Sequence, residues 1–112
     1  GDSAWTYAAS KAAVHQVTRL LAKELAPRHI TVHALATGPF ESNMTAFATA
    51  GEDNRDKTAA GIPAGRIGTP QDMAGAVLFL AGRGGAYTTG AIVPLDGGIA
   101  INTGPDMFAH AR

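Results

Sequence analysis

Two residues near the start of the chain could do chemistry together. Tyr7 and Lys11 are four apart, which on a helix puts both side chains on one face, a turn from each other. A phenol with an ordinary pKa of about 10 is a poor acid or base at neutral pH, and a nearby ammonium favours its anion and draws it toward the working range. A phenol tuned in that way can give or take the proton of a hydroxyl or carbonyl group. The same spacing is met by a solvated lysine beside a half-buried tyrosine, so the pair alone does not fix a role.

The elements that must position these residues are legible in the hydrophobic pattern. Asp2 or Ser3 can cap a helix that runs to Ala26, where Val14, Val17, Leu21 and Leu25 fall along one face and Pro27 stops it. His29 to Ala36, β-branched and apolar and closed by Gly38-Pro39, predicts a strand of about six residues with both faces covered. Residues 39–64 mix Gly51, Gly61, Pro63 and scattered charges with Met44 and Phe47, which predicts a long lid-like loop holding one or two short helices. Thr69-Pro70-Gln71-Asp72 announces a second helix, with Thr69 as N-cap, Pro70 where its missing N–H costs nothing and Asp72 three residues after the cap. That helix carries Met73, Ala76, Val77, Leu80 and Ala81 and stops at Gly82. Gly82, Gly84 and Gly85 follow a helix and read as its stop and a loop. Ala91 to Leu95 predicts a last strand, Asp96-Gly97-Gly98 a turn, and the residues from Ile99 onward a tail without a firm period.

Strands alternating with helices predict an α/β fold with a parallel sheet. Two strands are too few for independent stability, so the expected architecture is incomplete on its own and the chain reads as a piece of something longer, in line with its start at Gly1 rather than Met.

Composition narrows the function. The 112 residues carry nine Lys and Arg against nine Asp and Glu, so no net field draws in nucleic acid or an anionic membrane. The longest apolar run, Met73 to Gly82, falls short of the ~18 residues of a bilayer span, and the N-terminus shows no signal-peptide pattern. With no cysteine there is no disulfide and no thiolate metal site, which fits a reducing compartment, and a cytoplasmic location is expected. His15, His29, His33 and His110 lack metal-ligand spacing and read as solvated or core histidines.

Four segments, in order and at the right separations, resemble the C-terminal half of a short-chain dehydrogenase/reductase. They are Tyr7-Ala-Ala-Ser-Lys11, Ile30 to Phe40 with its Gly38-Pro39-Phe40 close, Ile62 to Ala74 followed by Leu78 to Ala81, and Gly90 to Gly98. Gly38-Pro39-Phe40 and Ser42-Asn43-Met44 are most similar to the 3-oxoacyl reductase-like members, including those of rhamnolipid biosynthesis. The resemblance implies the C-terminal part of a doubly wound, Rossmann-type parallel sheet over residues 1–100, with 39–64 as substrate lid and 101–112 as tail. It implies hydride transfer between NAD or NADP, with a slight preference for NADP, and a small-molecule carbonyl or alcohol. By the same resemblance Tyr7 is the acid/base, Lys11 tunes it and holds the nicotinamide ribose, Gly38, Pro39 and Phe40 lie against the nicotinamide, and Ser42 meets the carboxamide or pyrophosphate. It further implies a homo-oligomer, dimer or tetramer, in the full-length form. The small residues Ala8, Ala12 and Ala26 suit close helix contact.

Three departures are visible. The family's catalytic Ser would precede Gly1, no glycine-rich phosphate turn follows a strand, and His33 and Thr37 stand where the family usually has Asn and Pro. Thr37 gives up the fixed φ that Pro would bring to the backbone entering the Gly38 loop. The isolated 112-residue chain is therefore expected to be inactive, which keeps a second reading open, that of a truncated non-catalytic fragment acting through subunit association. A free-standing lid or carrier-binding module, resting on Met44 and Phe47, is a third.

Overall fold

The computed structural model describes residues 2–41 and 52–101. Its elements are α1 (Asp2–Leu25), β1 (Ala34–Thr37), α2 (Glu52–Ala60), α3 (Pro70–Ala81) and β2 (Ile92–Leu95), with 3-10 turns at Ala26–Arg28, Arg83–Gly85 and Ile99–Ile101. The order of helix, strand, a segment with one short helix in its described part, helix and strand is the one the pattern predicts. β1 and β2 pair in parallel, Ala34 opposite Ile92 and Thr37 opposite Leu95. Pro94, which has no N–H to donate, stands inside β2, a position Pro tolerates on edge strands.

Local chemistry explains the boundaries. α1 tightens into a 3-10 turn at Ala26-Pro27, and His29 closes it in the left-handed region at φ 61°, its N–H donating to the Ala26 carbonyl. α3 begins as expected. Thr69 is extended at its N-cap, Pro70 opens the first turn, and the Asp72 carboxylate accepts the Thr69 N–H at 2.8 Å. Gly82 to Gly85 do stop α3 and turn the chain, and Gly85 is buried.

The strand expected over His29 to Ala36 is shorter and starts later. Val32 donates its N–H to the Thr89 hydroxyl at 3.1 Å, and its carbonyl accepts the N–H of Gly90, which has φ +74°. A hydroxyl and a left-handed glycine stand where a β partner would be, so regular pairing begins only at Ala34. The strand residues are half-buried, or exposed at Thr37 and Pro94, rather than covered on both faces.

The buried face of α1 also differs from expectation. Val14, Val17 and Leu21 are exposed and Leu25 is half-buried, whereas Thr18 and Ala22 retain 6% and 3% of their surface. Burial here follows closeness of approach rather than hydrophobicity. A methyl group placed on Gly90 would lie 3.5 Å from the Ala22 Cβ, so the small side chains of α1 admit the loop, and the Thr18 hydroxyl is satisfied within the helix by the Val14 carbonyl at 2.8 Å. Large apolar side chains elsewhere stay open, Trp5 and Leu78 among them, the latter 72% exposed. Besides Thr18 and Ala22, Ile62 and Ile67 are buried. Both nitrogens of the His33 ring are buried with no hydrogen-bond partner among the described residues.

Of the lid expected over 39–64, the described part contains α2; Ser42, Met44 and Phe47 lie outside the described residues, as do His110 and the tail beyond Ile101. Among the described residues no helix is long and apolar enough to cross a membrane, and no group of three or more His, Asp or Glu side chains could hold a metal ion.

Candidate active site

Tyr7 and Lys11 stand on the second and third turns of α1, and the Lys11 ammonium lies over the Tyr7 ring, 5.5 Å from its centre. That is within reach of a cation–π attraction. Both side chains open onto a cleft of about 240 Å³ whose other walls are Val14, the length of β1 from Ala34 to Thr37 with Gly38 at its carboxyl end, and Asp96, Ile99 and Ala100 after β2. His15 lines it too. The carboxyl ends of parallel strands are where α/β sheets bind ligands, so the topology aims Tyr7 and Lys11 at the usual place.

Gly38 extends the sheet by one bond, its N–H donating to the Leu95 carbonyl at 3.1 Å. A Cβ there would meet the Asp96 Cα and Cβ at 3.0 Å, so glycine lets β1 pass tightly against the end of β2. Beyond Gly38 the chain turns away. Pro39 and Phe40 line a second cavity of about 110 Å³, which shares Asp96 with the first and is otherwise walled by Ile62, Arg66 and Leu95. The structure thus brings Tyr7, Lys11 and Gly38 into one cleft and sets Pro39 and Phe40 in the adjoining one. Ser42 lies outside the described residues.

The Pro39–Phe40 segment is held from below. The Pro39 carbonyl accepts the Gly68 N–H at 3.0 Å, and Glu41 returns its N–H to the Gly68 carbonyl at 2.9 Å. Phe40 lies so close over Gly68 that any side chain at 68 would strike the ring. Gly68 is fixed in turn by the start of α3. Arg66 makes a two-pronged ion pair with Asp72, at 2.6 and 2.9 Å, and a further bond to the Ile67 carbonyl at 3.2 Å. The Arg66 guanidinium, and after it the Thr69 N–H, hold the Asp72 carboxyl well below the usual carboxylate range. Asp72 is therefore ionised at neutral pH, and what the pair adds to stability is lost only in strong acid, as pH falls toward that depressed value. Arg66 is more than half exposed, so solvent screens the attraction and its main effect is geometric.

Arg66, Asp72 and Asp96 are organisers that the motif reading gave no part in the site. Asp72 was legible as a cap, but its partner six residues earlier, across a loop, follows no helical or strand period.

A family model described as enoyl-(acyl carrier protein) reductase matches residues 1–100. The chain belongs to the short-chain dehydrogenase/reductase family, and its two strands are the C-terminal part of that family's Rossmann-type parallel sheet. Within the family it is 46% identical over 101 residues to the rhamnolipids biosynthesis 3-oxoacyl-[acyl-carrier-protein] reductase of Pseudomonas aeruginosa, covering 90% of this chain and 40% of that one. It is 44% identical to a 3-oxoacyl-[acyl-carrier-protein] reductase of Thermotoga maritima, covering 85% of this chain and 38% of the relative. Among solved structures, the Pseudomonas aeruginosa RhlG/NADP active-site complex superposes with a TM-score of 0.77 at 46% identity, covering 83% of this chain and 36% of that one. The chain therefore spans about two fifths of the length of these relatives.

Proposed function

We propose that the full-length protein is an NAD(P)-dependent oxidoreductase that interconverts a carbonyl and an alcohol, with NADP as the preferred cofactor. The observation that carries this is the cleft along β1 that Tyr7, Lys11 and Gly38 all line, with Gly38 at the strand's carboxyl end. Its donor set suits a nicotinamide nucleotide, with an ammonium for ribose hydroxyls, a phenol for the reacting oxygen, and sheet-end backbone as a flat floor. NADP is the cofactor named for the similar Pseudomonas aeruginosa structure. When bound, the cofactor supplies or accepts the hydride.

The chain's own residues do the rest. In the reducing direction the Tyr7 hydroxyl gives its proton to the carbonyl oxygen as negative charge grows there; in the oxidising direction the deprotonated phenol takes the alcohol proton. Lys11 keeps a positive charge beside the phenol and donates to the ribose. Gly38 would flank the nicotinamide from the cleft, with Pro39 and Phe40 behind it in the adjoining cavity and held over Gly68, and Ser42 is proposed, by resemblance, for the carboxamide or pyrophosphate. The substrate class we propose is a 3-oxoacyl-[acyl-carrier-protein], the class named for the Pseudomonas aeruginosa and Thermotoga maritima relatives described above.

Titration of the full-length protein with NADPH, followed by nicotinamide fluorescence, tests the cleft. Lys11→Ala is expected to weaken binding by about tenfold, the cost of a hydrogen bond to a charged group. Unchanged binding would remove Lys11 from the cofactor site. The exposed apolar side chains Trp5, Leu20, Leu78 and Phe79 favour a second reading, in which the 112-residue chain acts by associating with other subunits; saturable NADPH binding by that chain alone would contradict it.

A further inference from the structure

We propose that Asp96 is a positioning residue for the cofactor, setting the wall of the cleft opposite Tyr7 and Lys11. The inference rests on the reading of that cleft as the nicotinamide site. Asp96 is the residue common to both cavities. Its side chain is committed to the backbone of its own turn, where one carboxylate oxygen accepts the Gly98 N–H at 2.9 Å and the other accepts the Ala100 N–H at 3.0 Å. Its carbonyl takes the Ile99 N–H at 3.3 Å. Ile99 and Ala100 are cleft wall, so these bonds fix the cleft's width on the side away from α1. They must hold against a compliant backbone, because Gly97 and Gly98 occupy φ +65° and +100°, where glycine ranges freely. A Cβ on Gly38 would crowd the Asp96 Cα and Cβ at 3.0 Å, so glycine there lets the cleft floor run close beside the same residue. One side chain thereby couples the end of β1 to the end of β2 at the point where the ligand sits, without reaching the ligand through its own carboxylate.

The arrangement yields a graded expectation in the full-length protein. Asp96→Ala loses both backbone bonds, lets Ile99 and Ala100 drift, and is expected to weaken NADPH binding about tenfold. Asp96→Asn keeps one acceptor oxygen and is expected to restore most of the affinity, to within about threefold of the parent. Amide hydrogen exchange at Gly98 and Ala100 is expected to rise in the same order. Gly65→Ala is the control for destabilisation alone, since Gly65 has φ +78° with open space around it and lines neither cavity; its affinity is expected to stay within about twofold of the parent. Equal NADPH affinity in the parent, Asp96→Ala and Asp96→Asn would overturn the proposal, as would a loss in Gly65→Ala matching that in Asp96→Ala. If Asp96→Ala does not fold, Asp96→Asn and its exchange rates decide, and parent-like values in both overturn it. Lys11→Ala separates the two layers. Parent-like affinity there defeats the cleft reading itself, whereas weakened binding in Lys11→Ala with parent-like Asp96 variants defeats only the role of Asp96.

Discussion

Replacing Tyr7 by Phe is expected to lower turnover of the full-length protein on a 3-oxoacyl thioester by at least about a hundredfold, the low end of what one positioned acid/base contributes, while NADPH affinity stays within about twofold. The substitution removes one oxygen atom and keeps the ring. The cation–π contact with Lys11 therefore survives, and so do the walls that Gly38 and Asp96 provide. Tyr7 is largely exposed at the cleft mouth, so no buried polar partner is orphaned and stability should not change. The separation of the two readouts is the informative part. A general loss of structure would lower both, and loss of a proton donor lowers only turnover. Normal turnover in Tyr7→Phe would mean that another group moves the proton.

The largest effect on stability is expected at Gly97. Its φ of +65° puts a Cβ in the left-handed region, and that Cβ would lie 2.5 Å from Ile62 Cγ2 and 3.3 Å from Ala64 Cβ. Ile62 belongs to the small buried core, and the Ala64 N–H is bonded to the Gly97 carbonyl at 2.9 Å, so neither neighbour can withdraw without breaking contacts of its own. Backbone strain of roughly 1–2 kcal/mol adds to an overpacking cost of roughly 1–3 kcal/mol, which makes Gly97→Ala destabilising by about 2–5 kcal/mol in urea unfolding. Gly65→Ala supplies the comparison, because its φ is equally positive at +78° but nothing lies within 4 Å of the added methyl. It should cost only the backbone part. Equal losses at the two glycines would show that the Ile62 contact does not constrain the turn.

These expectations show which parts of the molecule its sequence reveals. α3 was legible to the residue because its start is chemically local, with cap, proline and acidic residue within four positions. The length of α1 was equally plain, but its buried face was not. Val14, Val17 and Leu21 carry the apolar period, yet Thr18 and Ala22 are the buried positions and Ala22 is what the Gly90 loop reaches, and closeness of backbones leaves no signature in hydrophobic spacing. The first half of the expected first strand failed for a related reason, since the partner of Val32 is a threonine hydroxyl 57 positions away. For the candidate site, spacing put Tyr7 and Lys11 on one helix face, and their expected role, like that of Gly38, Pro39 and Phe40, came through resemblance. Arg66, Asp72 and Asp96 act through bonds to backbone and across a loop, where no periodic pattern points.

The measurement that tests the account most directly is a structure of the full-length protein with NADP bound. Lys11 Nζ is expected within about 3.2 Å of a ribose hydroxyl, with the nicotinamide seated between Tyr7 and Gly38 and with Ile99 and Ala100 forming the far wall. A nicotinamide seated elsewhere, with Tyr7 and Lys11 facing solvent, would contradict it.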